Sequence, residues 1–128
     1  MHPDELYYTK QHEWLKLEGN EALIGITDYA QRELGDLVYV ELPGVGTELS
    51  MDQEMATIES VKAVAEVYAP VSCEILASNE DLLKHPEKLN SDPYNEGWIA
   101  KIRLHDLNEV EALLSAEEYT VFVEGERE

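Results

Sequence analysis

Lys62 is the residue of this 128-residue chain whose neighbours point most directly to chemistry. Two β-prone runs, Met55 to Glu59 and Ala63 to Tyr68, are joined through Ser60-Val61-Lys62 without a glycine or proline. This spacing predicts a tight hairpin with Lys62 at or beside its tip. A type I turn accepts these residue types, while the absence of Asn-Gly or Asp-Gly leaves the hairpin unproved by local pattern alone. Most lysines on turns are only solvated charges. A nucleophilic free amine needs desolvation or a neighbouring cation, and Glu54, Glu59 and Glu66 favour the ammonium form instead. Lys62 is therefore a poor Schiff-base nucleophile. A protruding lysine flanked by acids better suits acylation by a separate enzyme, after which the amide forms the root of a long swinging arm.

Other chemistries find little support. His2, His12, His85 and His105 show no metal-ligand spacing, and His12-Glu13 is not followed by a second histidine. Ser60 and Ser72 have no histidine in a nucleophile arrangement, and no glycine-rich loop is present to cradle phosphate. The single cysteine, Cys73, excludes an intrachain disulfide and fits a reducing compartment; a small packed residue is the preferred reading over a redox centre. With 28 acids against 9 bases and a net charge of −19, the chain has no basic patch for nucleic acid or an anionic membrane. Its acidic surface suits steering toward basic faces of partner proteins, or simply solubility. No apolar run reaches membrane-spanning length. The opening Met1-His2-Pro3-Asp4-Glu5 has neither a signal core nor transit-peptide character, so cytoplasmic use is expected, with the retained Met1 arguing against a processed precursor.

The elements that must position Lys62 are short. One domain is expected, with 44% hydrophobic residues supplying a modest core. Tyr7 to Leu17 and Ala22 to Ile26 read as antiparallel strands about Gly19-Asn20. Asp28 with Gln31 predicts a capping box for a helix through about Leu34, with Gly35 as a left-handed cap. Strands follow over Leu37 to Leu42 and Thr47 to Leu49, then a Met51-Asp52-Gln53 turn into the lysine hairpin. Pro70 breaks the chain before a strand over Val71 to Leu76. Asn79 is expected to cap a helix over Glu80 to Lys84 ended by His85-Pro86. Asn90-Ser91-Asp92-Pro93 reads as a turn cluster, and Trp98 to Leu104 as the strand that closes the sheet. Asn108 with Glu111 and Ser115 with Glu118 predict two short amphipathic helices, and Glu124 to Glu128 a frayed acidic tail. No internal repeat is legible.

Glu59-Ser60-Val61-Lys62-Ala63 resembles the lipoyl-attachment motif of glycine cleavage system H proteins. Similar family landmarks are His12-Glu13-Trp14, Ile24-Gly25-Ile26-Thr27-Asp28, Leu34-Gly35-Asp36, Val40-Glu41-Leu42-Pro43, Tyr68-Ala69-Pro70-Val71-Ser72, Asn90-Ser91-Asp92-Pro93-Tyr94 and Gly97-Trp98. They run in order from about Tyr8 to Phe122. The resemblance implies a mainly β fold, a lipoyl/biotinyl-type barrel-sandwich hybrid with short peripheral helices and C-terminal helices. Residues 1–128 would form one lipoyl-carrier domain, with its core over about 8–122 and an acidic tail at 124–128.

The same resemblance implies lipoate attached as N6-lipoyllysine at Lys62, with Glu59, Ser60, Val61 and Ala63 as the attachment motif. The chain would be a monomeric, non-catalytic carrier in bacterial glycine catabolism and one-carbon metabolism. Its partners would be a pyridoxal-phosphate glycine decarboxylase, an aminomethyltransferase, a flavin-dependent dihydrolipoamide dehydrogenase, and a lipoate ligase or lipoyl-transfer enzyme. Because the aminomethyl cargo can hydrolyse, the family tucks the loaded arm into a cleft, and Glu13 and Glu66 are the candidate carboxylates to pair with its cation. Both also read as ordinary surface acids. Three positions depart from the family pattern: Asp52 and Cys73 stand where glycine is common, and Glu33 where some members carry histidine. Cys73 could thereby perturb the local sheet.

Alternatives are an H-like lipoate carrier for another pathway, such as lipoate relay or sulfur metabolism, and an unmodified interaction domain in which Lys62 stays a free amine. A biotin carrier is disfavoured because Val61 and Ala63, not methionines, flank Lys62. A module cut from a larger acyltransferase would lack the N-terminal hairpin and C-terminal helices.

Overall fold

A computed structural model describes residues 3–127. Met1, His2 and Glu128 lie outside the described residues, and with them the readings made of Met1, of His2 and of the last residue of the tail. The strands are β1 (Tyr7–Tyr8), β2 (Glu13–Glu18), β3 (Glu21–Ile26), β4 (Leu37–Glu41), β5 (Glu48–Leu49), β6 (Glu54–Ser60), β7 (Val64–Tyr68), β8 (Cys73–Ser78) and β9 (Ala100–Leu104). Helices are α1 (Asp28–Leu34), α2 (Asp81–Lys84), α3 (Lys88–Ser91), a 3₁₀ helix (Leu107–Ala112) and α4 (Ala116–Arg127).

Two antiparallel sheets result, β1-β2-β3-β9-β8-β5 and β4-β6-β7. The mainly β sandwich with short peripheral helices and a C-terminal helix is as expected. Inward side chains of the larger sheet, Leu15, Ile24, Ile75 and Ile102, meet Val40, Ile58 and Val67 of the smaller one in a single core. On the other side of β2, Tyr8, Trp14, Tyr119 and Val123 form a second cluster that seats α4. Gly25 belongs to that packing: a Cβ there would lie 2.6 Å from the Trp14 ring, so the indole needs a residue without a side chain.

Several local expectations are corrected. The run from Tyr7 to Leu17 is broken into β1 and β2, because His12 adopts a φ of 71° between them. Helix α1 is capped by Thr27, whose Oγ1 accepts the Ala30 N–H, while Gln31 Nε2 donates to Asp28 Oδ1. The hydroxyl one residue earlier thus does the work assigned to Asp28. Gly35 ends the helix at φ 81°, ψ −158°, a positive φ but not the left-handed helical cap expected. Asp52 does take the left-handed region, at φ 71°.

Asn79 does not cap α2 through its side chain; its Nδ2 donates to Glu96 O and Trp98 O, tying two loops together. Asn90 and Ser91 lie in α3, and the turn begins after them. Strand β9 starts at Ala100 and lies inside the larger sheet, between β3 and β8. The first C-terminal helix is a 3₁₀ turn capped by Asp106. Ser115 and Glu118 make the reciprocal capping box, Glu118 N–H to Ser115 Oγ at 3.1 Å and Ser115 N–H to Glu118 Oε1 at 2.9 Å. From there α4 runs unbroken to Arg127, in place of a frayed segment from Glu124. Cys73 is fully buried in regular pairing with Leu49 and Leu104, and the irregularity of β8 falls between Ile75 and Ala77. Burial pushes its thiol up to about 11, as expected of a packed rather than reactive cysteine.

Candidate functional site

Strands β6 and β7 pair from Glu54↔Tyr68 to Glu59↔Val64, and Val61-Lys62-Ala63 forms the turn. Ser60 organises it. Its N–H donates to Ala63 O at 2.8 Å, and its Oγ accepts from Lys62 N–H at 3.2 Å and Ala63 N–H at 3.0 Å. The Val61 N–H donates to Asp36 O at 3.2 Å, so the remaining turn amide is satisfied from outside the hairpin. The turn's N–H groups are all bonded, while Lys62 is exposed and its flank Val61 is 74% exposed. Such a loop offers an amine on a fixed stalk.

Register places the other motif residues. Tyr39, Glu59 and Val64 stand opposite one another on the outer face of the smaller sheet, followed by the row Glu41, Thr57 and Glu66. Tyr39 and Val64 are 51% and 60% exposed, so apolar and acidic groups alternate beside the tip. Glu66 Oε2 accepts a hydrogen bond from Thr57 Oγ1 at 2.8 Å, which fixes that carboxylate on the face. Glu33 is exposed on α1.

Glu13 sits at the other end of the hairpin. It is 1% exposed, and its Oε1 accepts from Thr9 Oγ1 and its Oε2 from the Tyr68 N–H, both at 2.8 Å. Ala63 O and Ala69 N–H bond toward β6, so the alternate groups of Val64, Glu66 and Tyr68 face the open edge of β7. Glu13 closes that edge at Tyr68. Burial drives its carboxyl up to about 7, against the lowering effect of the bonds from Tyr68 and Thr9, with Asp52 adding a smaller raising effect. Glu13 is therefore no ordinary surface acid.

Glu66 lies on β7 and Glu13, on β2, bonds that strand at Tyr68, while Lys62 precedes its opposite end. His12 is structural: its Nδ1 lies 2.7 Å from Tyr119 Oη, which also lies 2.7 Å from Thr27 Oγ1, so the residue before Glu13 is anchored to α4. Sequence reasoning missed Thr9, Asp36 and Asn90. Asn90 holds the Gly35–Leu37 segment under the lysine turn. It falls in a family landmark and a turn cluster, but nothing local marks its role at the lysine turn, because its partners lie 53 to 59 residues away.

A family model described as "Glycine cleavage H-protein" matches residues 6–126. A glycine cleavage system H protein of Halothermothrix orenii is 53% identical over 122 residues, spanning 95% of each chain. That of Geobacillus kaustophilus is 49% identical over 121 residues, covering 94% of this chain and 95% of the relative. The crystal structure of a glycine cleavage system H protein from Mycobacterium marinum superposes with a TM-score of 0.85 at 34% identity, over 93% of this chain and 96% of that one. Among the described residues no helix is long and apolar enough to cross a membrane.

Proposed function

The chain belongs to the glycine cleavage H-protein family, and on that premise we propose that it is a monomeric, single-domain lipoyl carrier with its arm on Lys62. The observation that carries this reading is the turn itself: Ser60 and Asp36 satisfy its amides, leaving the Lys62 side chain exposed to an acylating enzyme. The residues fit the group. An exposed primary amine can take an amide, and apolar Val61 and Val64 beside it suit contact with an acyl chain.

When bound, lipoate would supply a disulfide that accepts the aminomethyl carbon of glycine with its electron pair, and the dithiol left once that carbon is passed on would be reoxidised. Everything else is the work of this chain's residues. Glu66, on the edge strand, and Glu13, which bonds that strand at Tyr68, pair with the methylammonium cation of the cargo. Glu13, held near neutrality by burial, ionises when a cation arrives, because the new charge offsets the cost of desolvating the carboxylate. Its two hydrogen bonds hold it in place beforehand. In this reading the cargo passes in the bacterial cytoplasm from a glycine decarboxylase to an aminomethyltransferase, and a dihydrolipoamide dehydrogenase reoxidises the dithiol to the disulfide. The chain itself catalyses none of these steps.

Intact mass tests the assignment. Incubation with lipoate, ATP and a lipoate ligase is expected to add one lipoyl increment, absent from Lys62→Arg. Glycine and a glycine decarboxylase are then expected to add one aminomethyl increment. No first increment removes the carrier reading; a first without a second assigns the carrier to another lipoate pathway.

A further inference from the structure

We propose that Asn90 is a positioning residue for acylation of Lys62, acting through the Gly35-Asp36-Leu37 segment beneath the lysine turn; this rests on the reading of Lys62 as the attachment point. Asn90 lies on α3, far from the hairpin in sequence, yet its carboxamide makes three hydrogen bonds to the chain around α1 and β4. Its Oδ1 accepts the Leu37 N–H at 3.0 Å, and its Nδ2 donates to Gly35 O and Gln31 Oε1, both at 2.9 Å. The amide orientation is fixed by these partners, since a backbone N–H can only donate and a carbonyl can only accept.

The clamped segment touches the lysine turn twice. Asp36 O accepts the Val61 N–H at 3.2 Å, and the Lys62 Cε passes 3.6 Å from the position a Cβ would occupy on Gly35. Gly35 itself has φ 81° and ψ −158°, a conformation favoured by glycine alone and belonging to neither the helix before it nor the strand after it. A glycine in that position has many other conformations open to it. Asn90 bonds both sides of Asp36, at Gly35 O and Leu37 N–H, and so holds the one carbonyl that reaches across to the turn.

Without that clamp the turn samples arrangements that a ligase does not bind. The apparent affinity then falls by the fraction of time the competent arrangement is populated, while the rate at saturation is retained. A residue that merely stabilised the fold would leave the KM of the folded molecules unchanged. The two roles therefore separate in kinetics.

The test compares wild type, Asn90→Ala and Gln31→Ala as substrates of a lipoate ligase with lipoate and ATP, alongside amide hydrogen exchange of each unmodified chain. Asn90→Ala is expected to raise the KM for the carrier about tenfold, with kcat within about twofold. The Val61 amide is expected to exchange about tenfold faster while Ile102, in the middle of the larger sheet, is unchanged. Gln31→Ala removes one of the three bonds, so it is expected to shift KM and Val61 exchange about two- to threefold in the same direction; it carries the test if Asn90→Ala does not fold. Wild-type KM in either folded variant, a fall in kcat alone, or equal acceleration of Val61 and Ile102 overturns the proposal. A wild-type chain that takes no lipoyl group overturns the carrier reading itself.

Discussion

The two ends of the β6–β7 hairpin solve opposite problems. At the tip the backbone is immobilised and the side chain left out: every turn amide has an acceptor, and Lys62 extends past them. At the base the side chain is immobilised and covered, with Glu13 sealed against the Tyr68 N–H by Thr9 and its own strand. On the carrier reading proposed above, the Lys62 end is an attachment point that several enzymes must reach, which suits its exposure, and the Glu13 end is a cation site. A site that recognises a small cation gains from a desolvated partner, because the same pair is stronger where water is excluded. Burial at the base is visible in proton affinity, since it drives the Glu13 carboxyl up to about 7.

Substitutions at the two ends should separate these roles. Lys62→Arg is expected to abolish lipoylation entirely, read by intact mass, and leave the unfolding midpoint where it was, because the side chain is exposed. Ser60→Ala removes the acceptor for two turn amides, and lipoylation kcat/KM is expected to fall about tenfold for a stability cost of about 1 kcal/mol. A larger stability loss with unchanged lipoylation would mean that the tip is not a preformed recognition element.

Glu13→Gln tests the base by pH. The folded chain keeps the Glu13 proton up to about 7, whereas an ordinary glutamate releases it near 4.5. Across that window the folded state holds more protons, so the stability contributed by Glu13 declines as pH rises and is lowest above pH 7. Glu13→Gln is therefore expected to unfold at a higher urea concentration than wild type at pH 8, by roughly 2 kcal/mol, with the difference vanishing near pH 4. The same variant should shorten the lifetime of the aminomethyl adduct about tenfold at pH 8 and remove its pH dependence; wild-type lifetime should lengthen from pH 6 to pH 8 as Glu13 ionises. An unchanged adduct lifetime in Glu13→Gln assigns Glu13 to structure alone. Glu66→Gln, at a half-exposed position already bonded to Thr57, is expected to shorten that lifetime only about twofold.

The tip was legible in the sequence because a hairpin is a local object: β-prone runs on either side of Ser60-Val61-Lys62 predict it, and the Ser60 bonds supply the turn that the pattern alone left unproved. Glu13 was legible as a candidate but not as a buried one. Its burial depends on Tyr68, 55 residues later, crossing over it. The same limit hides the role of Asn90, whose neighbours spell a turn while its partners are distant backbone groups. Helix ends show the limit at short range. Thr27 and Asp28 are both good caps, and pattern alone took the Asp28–Gln31 spacing, whereas the chain used the hydroxyl and let Gln31 bond the Asp28 carboxylate instead. The extent of α4 was underestimated for a different reason. An acidic tail reads as fraying, but Tyr119 and Val123 dock the helix on Tyr8 and Trp14, and that contact carries the helix on to Arg127.

On the proposed reading of Lys62, strand β9 has a consequence for when an arm can be attached. It lies between β3, made early, and β8, made late, so neither half of the larger sheet is complete until residues 100–104 have been synthesised. The smaller sheet that carries Lys62 packs its inner face on that larger one. A nascent chain still on the ribosome thus displays the letters Glu-Ser-Val-Lys-Ala long before it displays the loop. On the proposed carrier reading, an enzyme that recognises the loop passes over unfinished and misfolded copies, and the attached group would mark molecules that have completed their fold.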